Sequence, residues 1–117
     1  MGTQRLTVAQ AIVAHLIAQT TELGDGSTAS LFPGVYGIFG HGNVTCLGLA
    51  LEAVRDELPT WRGQNEQGMA LAAIGYTKAV RRRQIMVASS SIGPGATNMV
   101  TAAGVAMSNR LPMLLLW

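Results

Sequence analysis

Three short apolar runs, separated by segments with helical spacing, restrict the folds open to this chain. The runs occupy residues 34–40, 85–89 and 111–117. Within each run, apolar residues follow one another instead of alternating with polar ones, which is typical of strands buried on both faces of a parallel sheet. The helical segments supply the crossover connections that parallel strands require. The sequence therefore predicts an α/β fold, with a parallel sheet flanked by helices.

Four helices are predicted around these runs. A capping-box pattern at Thr7 starts the first helix. The other three are predicted to begin near Asn43, at Glu66 and at Pro94, a residue type that suits the first turn of a helix. Residues 24–28 are predicted to form a flexible loop, because they combine glycine with small polar residues. The buried face of the first helix is predicted to carry Val8, Ala11, Ile12, His15 and Leu16.

The composition argues against several classes of function. Charged residues make up 12% of the chain and aromatic residues 5%. The largest basic run is the three arginines at 81–83, without interleaved aromatic residues, so nucleic-acid binding is not expected. The single cysteine, Cys46, rules out an internal disulfide and fits a reducing compartment. No apolar run is long enough to span a bilayer. We therefore expect a cytoplasmic protein that binds neither nucleic acid nor membrane.

Glu66 is the first candidate for a chemical role. Together with Met69, Ala70, Ala73 and Thr77 it follows helical spacing, which places its carboxylate on the helix face predicted to be buried. The helix dipole favours the charged carboxylate, whereas desolvation favours the neutral form and dominates when burial is complete. A buried Glu66 would therefore be suited to proton exchange with a ligand nitrogen. The alternative is a first-turn glutamate that only complements the helix dipole.

The segment 89–98 places a Gly93-Pro94-Gly95 turn between a predicted strand and a predicted helix. Backbone N–H groups at such a turn can bind an anion. The segment matches neither the dinucleotide-binding pattern GxGxxG nor a Walker A loop. The alternative is a tight turn that only lets the helix and the strand pack closely.

His41 lies between two glycines, directly after a predicted strand. An exposed loop histidine suits substrate contact or acid–base chemistry, and the alternative is a loop histidine without a role. Ligands of parallel sheets bind beyond the carboxyl ends of the strands, and both this loop and the turn at 93–95 occupy that position. Cys46 has no histidine or cysteine at metal-ligand spacing, so no metal site is predicted within the chain.

Taken together, these segments resemble the N-terminal pyrimidine-binding domain of thiamine-diphosphate-dependent enzymes. The combination of Glu66 with Gly-Pro-Gly-Ala-Thr-Asn at 93–98 is the most specific part of the resemblance. Residues 37–43 and 109–112 resemble the inositol-catabolism branch more than acetolactate synthase. The resemblance implies a flavodoxin-like domain. The resemblance depends, in chain order, on residues 32–43, 65–67, 75–78 and 91–98.

The resemblance also implies roles for individual residues. Glu66 is expected to hydrogen-bond N1′ of the cofactor's aminopyrimidine ring and to act as the catalytic residue. The glycine turn is then expected to shape the pyrimidine pocket, not to hold the diphosphate. The cofactor is expected to contact Glu66, Gly93, Pro94, Gly95 and Asn98, and the substrate to contact Gly40, His41 and Asn43.

The last apolar run continues to residue 117, where a buried strand would normally be followed by a loop. We therefore expect residues 1–117 to be an incomplete pyrimidine-binding domain from a longer chain. The resemblance implies that Mg²⁺ and the diphosphate are bound by a domain outside these residues, and that the central domain also lies outside them. It further implies a homodimer or tetramer assembled through pyrimidine-binding domains, and no turnover by the 117 residues alone.

The implied activity is hydrolysis of a carbon–carbon bond in a cyclic 1,2-dione during myo-inositol catabolism. One alternative is an acetolactate-synthase-like enzyme or a 2-keto-acid decarboxylase. A second alternative lies outside enzymes: a non-catalytic truncated domain that only pairs with another subunit.

Overall fold

The computed structural model describes residues 2–117. The predicted capping box is present, because the Thr7 hydroxyl accepts from the Gln10 N–H at 3.2 Å. Within residues 2–117, every helix falls short of the length and apolar character that a bilayer-spanning helix needs. The elements, in chain order, are α1 (Val8–Ala18), β1 (Thr20–Glu22), β2 (Thr28–Ser30), β3 (Val35–Gly37), a π-helical turn (Val44–Gly48), α2 (Leu49–Glu52), β4 (Thr60–Arg62), α3 (Glu66–Ala79), β5 (Val87–Ser89), α4 (Pro94–Asn98), α5 (Val100–Asn109) and β6 (Leu114–Leu116).

Four strands form one parallel sheet in the order β4-β3-β5-β6, with helices on both faces. This confirms the predicted α/β fold. Strand β4 pairs with one edge of β3 and β5 pairs with the other edge, so the chain changes its direction of travel across the sheet next to β3. Ligands of open parallel sheets bind at such a switch point, beyond the carboxyl ends of the strands. The loops that follow β3 and β5 flank this position.

Two elements lie outside the sequence predictions. The antiparallel hairpin of β1 and β2 encloses the predicted loop at 24–28, and Thr28 already belongs to β2. Strand β4 is the edge strand of the parallel sheet and leaves Trp61 and Arg62 exposed. Each of these strands has only three residues. A segment of that length, with polar residues in it, carries too little periodicity to indicate a strand.

Alternate side chains of the sheet enter two separate cores. Val35 and Val87 point toward α1 and α2, whereas Ala88 points toward α3 and α5. Small residues at the buried positions of α3, such as Ala70 and Ala73, allow this helix to lie close to the sheet. The first core contains Val13, Leu16, Val35, Leu47, Ala50, Leu51, Leu58 and Val87, and the second contains Met69, Ala70, Ile74, Ala88, Met99, Ala102 and Ala106.

Of the predicted buried face of α1, only Leu16 is buried, and the other four positions are exposed. Val8 is 78% exposed and His15 is also exposed, whereas Val13 and Leu16 are buried. Ala9 and Ile17 pack beside those two residues, so the true buried face is rotated by about one residue, roughly 100°, from the predicted one. Helix α1 is apolar over most of its circumference, and the hydrophobic pattern therefore supports two faces almost equally.

The arginine run at 81–83 follows α3 and is exposed, as expected for a solvated helix end. Arg81 and Arg82 have positive φ angles of 54° and 64°. The Arg82 guanidinium donates to the carbonyl oxygens of Asn109 and Arg110 at 3.3 and 3.2 Å. These hydrogen bonds connect the end of α3 to the end of α5. Both helix ends lie near the amino ends of the strands, opposite the loops that follow β3 and β5.

Candidate functional site

Glu66 begins α3, and its helix is fixed at this end by a side-chain cap. Asn65 accepts a hydrogen bond from the Gly68 N–H at 2.9 Å through its Oδ1. The other four positions of the predicted stripe are buried, at 0% exposure for Ala70, Ala73 and Thr77 and 4% for Met69. Glu66 itself is half-buried. The helix therefore presents the carboxylate at the margin of the core, open to a ligand on one side.

Asn98 is brought to Glu66 from the end of α4. Its Nδ2 donates to Glu66 Oε2 at 3.3 Å, in a partly buried position. Among residues 2–117, no other side chain donates a hydrogen bond to this carboxylate. One carboxylate oxygen is thus oriented by the protein, while Oε1 keeps its hydrogen-bonding capacity for another partner.

Gly95 forms the wall behind the carboxylate. A β-carbon at this position would lie 2.7 Å from Glu66 Oε1 and would also collide with Ser91 Oγ. Gly93, with a φ of 65°, adopts a backbone conformation that favours glycine, and Pro94 occupies the first turn of α4. The turn therefore brings the backbone against Glu66 in a way that any side chain at residue 95 would prevent.

The loop that carries His41 contacts this turn directly. A β-carbon on Gly40 would lie 2.7 Å from Ser91 Cβ, so the two loops touch. Asn43 bridges them: its Oδ1 accepts from the Gly40 N–H at 2.8 Å, and its Nδ2 donates to the Ser90 carbonyl at 2.7 Å. His41 is exposed at the tip of the loop.

The structure thus brings together the residues named from the sequence in two groups. Glu66, Gly95 and Asn98 form one contact group, and Gly40 and Asn43 form a second that adjoins it. The link between the groups is Ser91, which sequence reasoning did not single out. Its importance depends on simultaneous contact with Gly95, four residues later, and with Gly40, which is distant in sequence, and no local pattern signals the second contact.

His15 and Cys46 are exposed and lie outside this arrangement. His15, predicted on the buried face of α1, is therefore not packed in the core of this chain. Within residues 2–117, the acidic, histidine and cysteine side chains form no group of three that would hold a metal ion.

Cavity volume does not identify the site. A cavity of about 570 Å³ lies between α1 and the π-helical turn, and its lining includes Val13 and Leu49. A cavity of about 340 Å³ borders Asn65 and Gly68 without including Glu66. The 570 Å³ cavity is lined mostly by apolar residues. The region around Glu66 instead combines its carboxylate with the Asn98 amide and the Ser91 hydroxyl. The convergence of polar groups is therefore the better guide to chemistry.

These residues fit an aminopyrimidine ring. Such a ring needs a carboxyl group that faces one ring nitrogen and a surface that its flat body can approach. Glu66 Oε1 supplies the first, because no side chain among residues 2–117 donates a hydrogen bond to it. The backbone of the glycine turn supplies the second, because Gly95 has no side chain and lies directly against the carboxylate.

Residues 33–117 match the family model described as thiamine pyrophosphate enzyme, N-terminal TPP binding domain; thiamine pyrophosphate is thiamine diphosphate. A protein from Geobacillus thermodenitrificans is 53% identical over 116 residues and is named 3D-(3,5/4)-trihydroxycyclohexane-1,2-dione hydrolase. Proteins of the same name from Bacillus thuringiensis and Bacillus cereus are 49% identical over 116 residues. Each match covers 99% of this chain but only 18% of the relative's length. The chain belongs to the thiamine pyrophosphate enzyme family, through its N-terminal cofactor-binding domain.

Proposed function

We propose that this chain supplies the pyrimidine-binding half of a thiamine-diphosphate-dependent hydrolase that cleaves a carbon–carbon bond in trihydroxycyclohexane-1,2-dione during inositol breakdown. One structural observation carries the proposal: the Glu66 carboxylate lies between the Asn98 amide, at 3.3 Å, and the side-chain-free Gly95. The names of the relatives at 49% and 53% identity support the choice of substrate.

When bound, thiamine diphosphate supplies the electron sink for carbon–carbon cleavage. Glu66 would hold a proton between its Oε1 and N1′ of the pyrimidine ring. Asn98 would keep the carboxyl group in this orientation, because its amide already engages Oε2. The half-buried position of Glu66 limits competition from water for the same hydrogen bond.

Gly93, Pro94 and Gly95 would shape the wall of the pyrimidine pocket. Helix α4 has only five residues, so its N-terminus is a poor site for a diphosphate group. We assign the binding of the diphosphate and its Mg²⁺ to a separate domain outside residues 1–117. We place the central domain of the enzyme outside these residues as well. The segment that matches this chain makes up only 18% of the relative's length. The relatives therefore extend far beyond it, which supports the assignment.

The site is open on one side, and we propose that another subunit covers it. Residues 1–117 would then form an incomplete pyrimidine-binding domain that has no turnover alone and that assembles as a homodimer or tetramer. A cytoplasmic location is part of the same proposal, supported by a single exposed cysteine in the sequence.

The test uses the full-length protein that contains these residues, loaded with thiamine diphosphate and Mg²⁺. Hydrolysis of the cyclic dione is measured beside condensation and decarboxylation of pyruvate, for the wild type and for Glu66→Gln. We expect dione hydrolysis in the wild type and a loss of about 100-fold or more in Glu66→Gln, the range typical of a lost acid–base group. The matched control is Glu57→Gln, an exposed carboxylate outside the site, which should retain the wild-type rate.

Full activity of Glu66→Gln would overturn the role of Glu66. Turnover of pyruvate without dione hydrolysis would favour an acetolactate-synthase-like enzyme or a decarboxylase. Absence of both activities, together with absence of cofactor binding by calorimetry, would favour a non-catalytic domain.

A further inference from the structure

We propose that Asn43 is a positioning residue that clamps the His41 loop to the Ser90–Ser91 segment, and that it does not itself contact the substrate. The two hydrogen bonds that form the clamp lie within this chain. The consequence of the clamp for catalysis rests on the proposed function.

The side chain of Asn43 is engaged at both ends. Its Oδ1 accepts from the Gly40 N–H at 2.8 Å within its own loop. Its Nδ2 donates to the Ser90 carbonyl at 2.7 Å, across 47 residues of sequence. Both bonds are partly buried and short for N–H···O hydrogen bonds. An amide used in this way is held by the protein and has little freedom to follow a substrate.

The clamp lies just beyond the carboxyl ends of β3 and β5. The pairing of β3 with β5 continues through the Ile38 N–H, which donates to the Ser89 carbonyl at 2.9 Å. The next carbonyl, that of Ser90, is bound by Asn43, and the Ser90 N–H donates to Leu116 at 3.0 Å. Asn43 therefore binds the carbonyl of the first residue after β5, directly beyond the last hydrogen bond between β3 and β5, and Ser90 is fully buried.

Direct packing connects the clamped loop to Glu66. Ser91 touches Gly40 on one side, since a β-carbon there would lie 2.7 Å from Ser91 Cβ. On the other side Ser91 Oγ and Glu66 Oε1 both crowd the space beside Gly95. The order Gly40, Ser91, Gly95, Glu66 is thus a continuous series of contacts. While the clamp holds, the position of the Gly40 backbone relative to the Glu66 carboxylate is set through this series.

Apart from the clamp, the loop is closed by a backbone hydrogen bond from the Val44 N–H to the Gly40 carbonyl at 3.2 Å. Gly40 and Gly42 flank His41, and Gly42 has a φ of 91°. His41 and Gly42 are exposed. Glu66, by contrast, keeps its helix cap from Asn65 and its bond from Asn98 whether or not Asn43 is present. Loss of the clamp should therefore release the His41 loop and leave the Glu66 side of the site in place.

The experiment compares wild type, Asn43→Ala and Asn43→Asp in the full-length holoenzyme, with Asn109→Ala as the control. Asn109 is an exposed asparagine whose amide donates to Val105 at the far end of α5. Asn43→Asp keeps the acceptor for the Gly40 N–H and loses the donor to Ser90. Four kinds of measurement are made: amide hydrogen exchange at Gly40 and Gly42, the kinetic constants KM and kcat for the dione, the Kd of thiamine diphosphate, and Tm.

For Asn43→Ala we expect about tenfold faster exchange at Gly40 and about a tenfold rise in KM, the size expected from two lost hydrogen bonds. The Kd of the cofactor should stay within about threefold, less than the cost of one hydrogen bond. In Asn43→Asp, exchange at Gly40 should rise less than in Asn43→Ala, whereas the rise in KM should be similar. Asn109→Ala should match the wild type in every one of these measurements.

Unchanged exchange at Gly40 in Asn43→Ala would overturn the clamp. A parallel loss of cofactor affinity, kcat and Tm would overturn the positioning role, because it would show general destabilisation instead. If the wild type does not hydrolyse the dione, the proposed function fails, and the exchange measurement still decides whether the clamp exists.

Discussion

Asn98 donates a hydrogen bond from Nδ2 to Glu66 Oε2 at 3.3 Å, although 32 residues separate them in sequence. The orientation of the carboxylate is therefore set by α4, a five-residue helix after the glycine turn, and not only by its own helix. This explains how a glutamate and a glycine turn so far apart in the chain come to lie together.

Removal of the Asn98 amide should weaken cofactor binding. In Asn98→Ala, Glu66 loses the donor that orients it, and a hydrogen bond to a charged or partly buried group contributes about 1–2 kcal/mol. We expect the Kd of thiamine diphosphate to rise about tenfold in titration calorimetry on the full-length protein. Asn109→Ala serves as the control, and an unchanged Kd in Asn98→Ala would contradict the orienting role.

A methyl group at residue 95 should damage the site more than the fold. In Gly95→Ala the new β-carbon would lie 2.7 Å from Glu66 Oε1, so the carboxylate must move. We expect cofactor affinity to fall by about tenfold or more, with a modest loss of Tm. The matched control is Gly104→Ala in α5, where a β-carbon meets nothing within 4 Å. That variant should be more stable by about 0.5–1 kcal/mol, because alanine is the better helix former. Wild-type affinity in Gly95→Ala would show that the close approach is unimportant.

The two arginines with positive φ after α3 should respond in opposite directions. Arg81 has a φ of 54°, and its side chain forms no hydrogen bond within residues 2–117, so Arg81→Gly should stabilise the fold by about 1 kcal/mol. Arg82→Ala should destabilise it by about 1 kcal/mol, since its guanidinium binds the carbonyls of Asn109 and Arg110. Chemical denaturation measures both changes. Equal effects of the two substitutions would exclude the proposed tie between α3 and α5.

The hairpin loop should show a small dependence on pH. The Ser27 hydroxyl and then the Ser27 N–H donate to the Asp25 carboxylate, at 2.6 and 3.0 Å, and lower the pKa of Asp25 below its ordinary value of 3.8. A depressed carboxyl pKa stabilises the folded loop above the unfolded pKa, and this contribution is lost as the pH falls through the folded value. In Ser27→Ala the pKa of Asp25 should rise toward 3.8, as followed by NMR titration of its carboxyl carbon. A pKa that does not move would rule out Ser27 as the cause.

The α/β fold and the position of Glu66 could be predicted from the sequence for a shared reason. Met69, Ala70, Ala73 and Thr77 follow one helical period, and all four are buried. The buried face of α1 could not be predicted beyond Leu16, because Val8 and Ile12 compete with Val13 and Ile17 for the core and only tertiary packing decides between them. Roles of individual residues are a different matter, since the pairs that define them are distant in sequence. Nothing near Asn43 in the chain indicates that its amide reaches Ser90, 47 residues away.

The π-helical turn after Asn43 fixes the number of residues between Asn43 and Gly48. The Gly48 N–H donates to the Asn43 carbonyl at 2.9 Å, five residues back, so Asn43 anchors the widened turn with its backbone and the neighbouring loop with its side chain. Deletion or insertion of one residue between them would turn everything downstream by about 100° around the helix axis. Leu47 and Leu51 would then swing out of the first core. Substitutions should thus be tolerated in this turn far better than changes in its length.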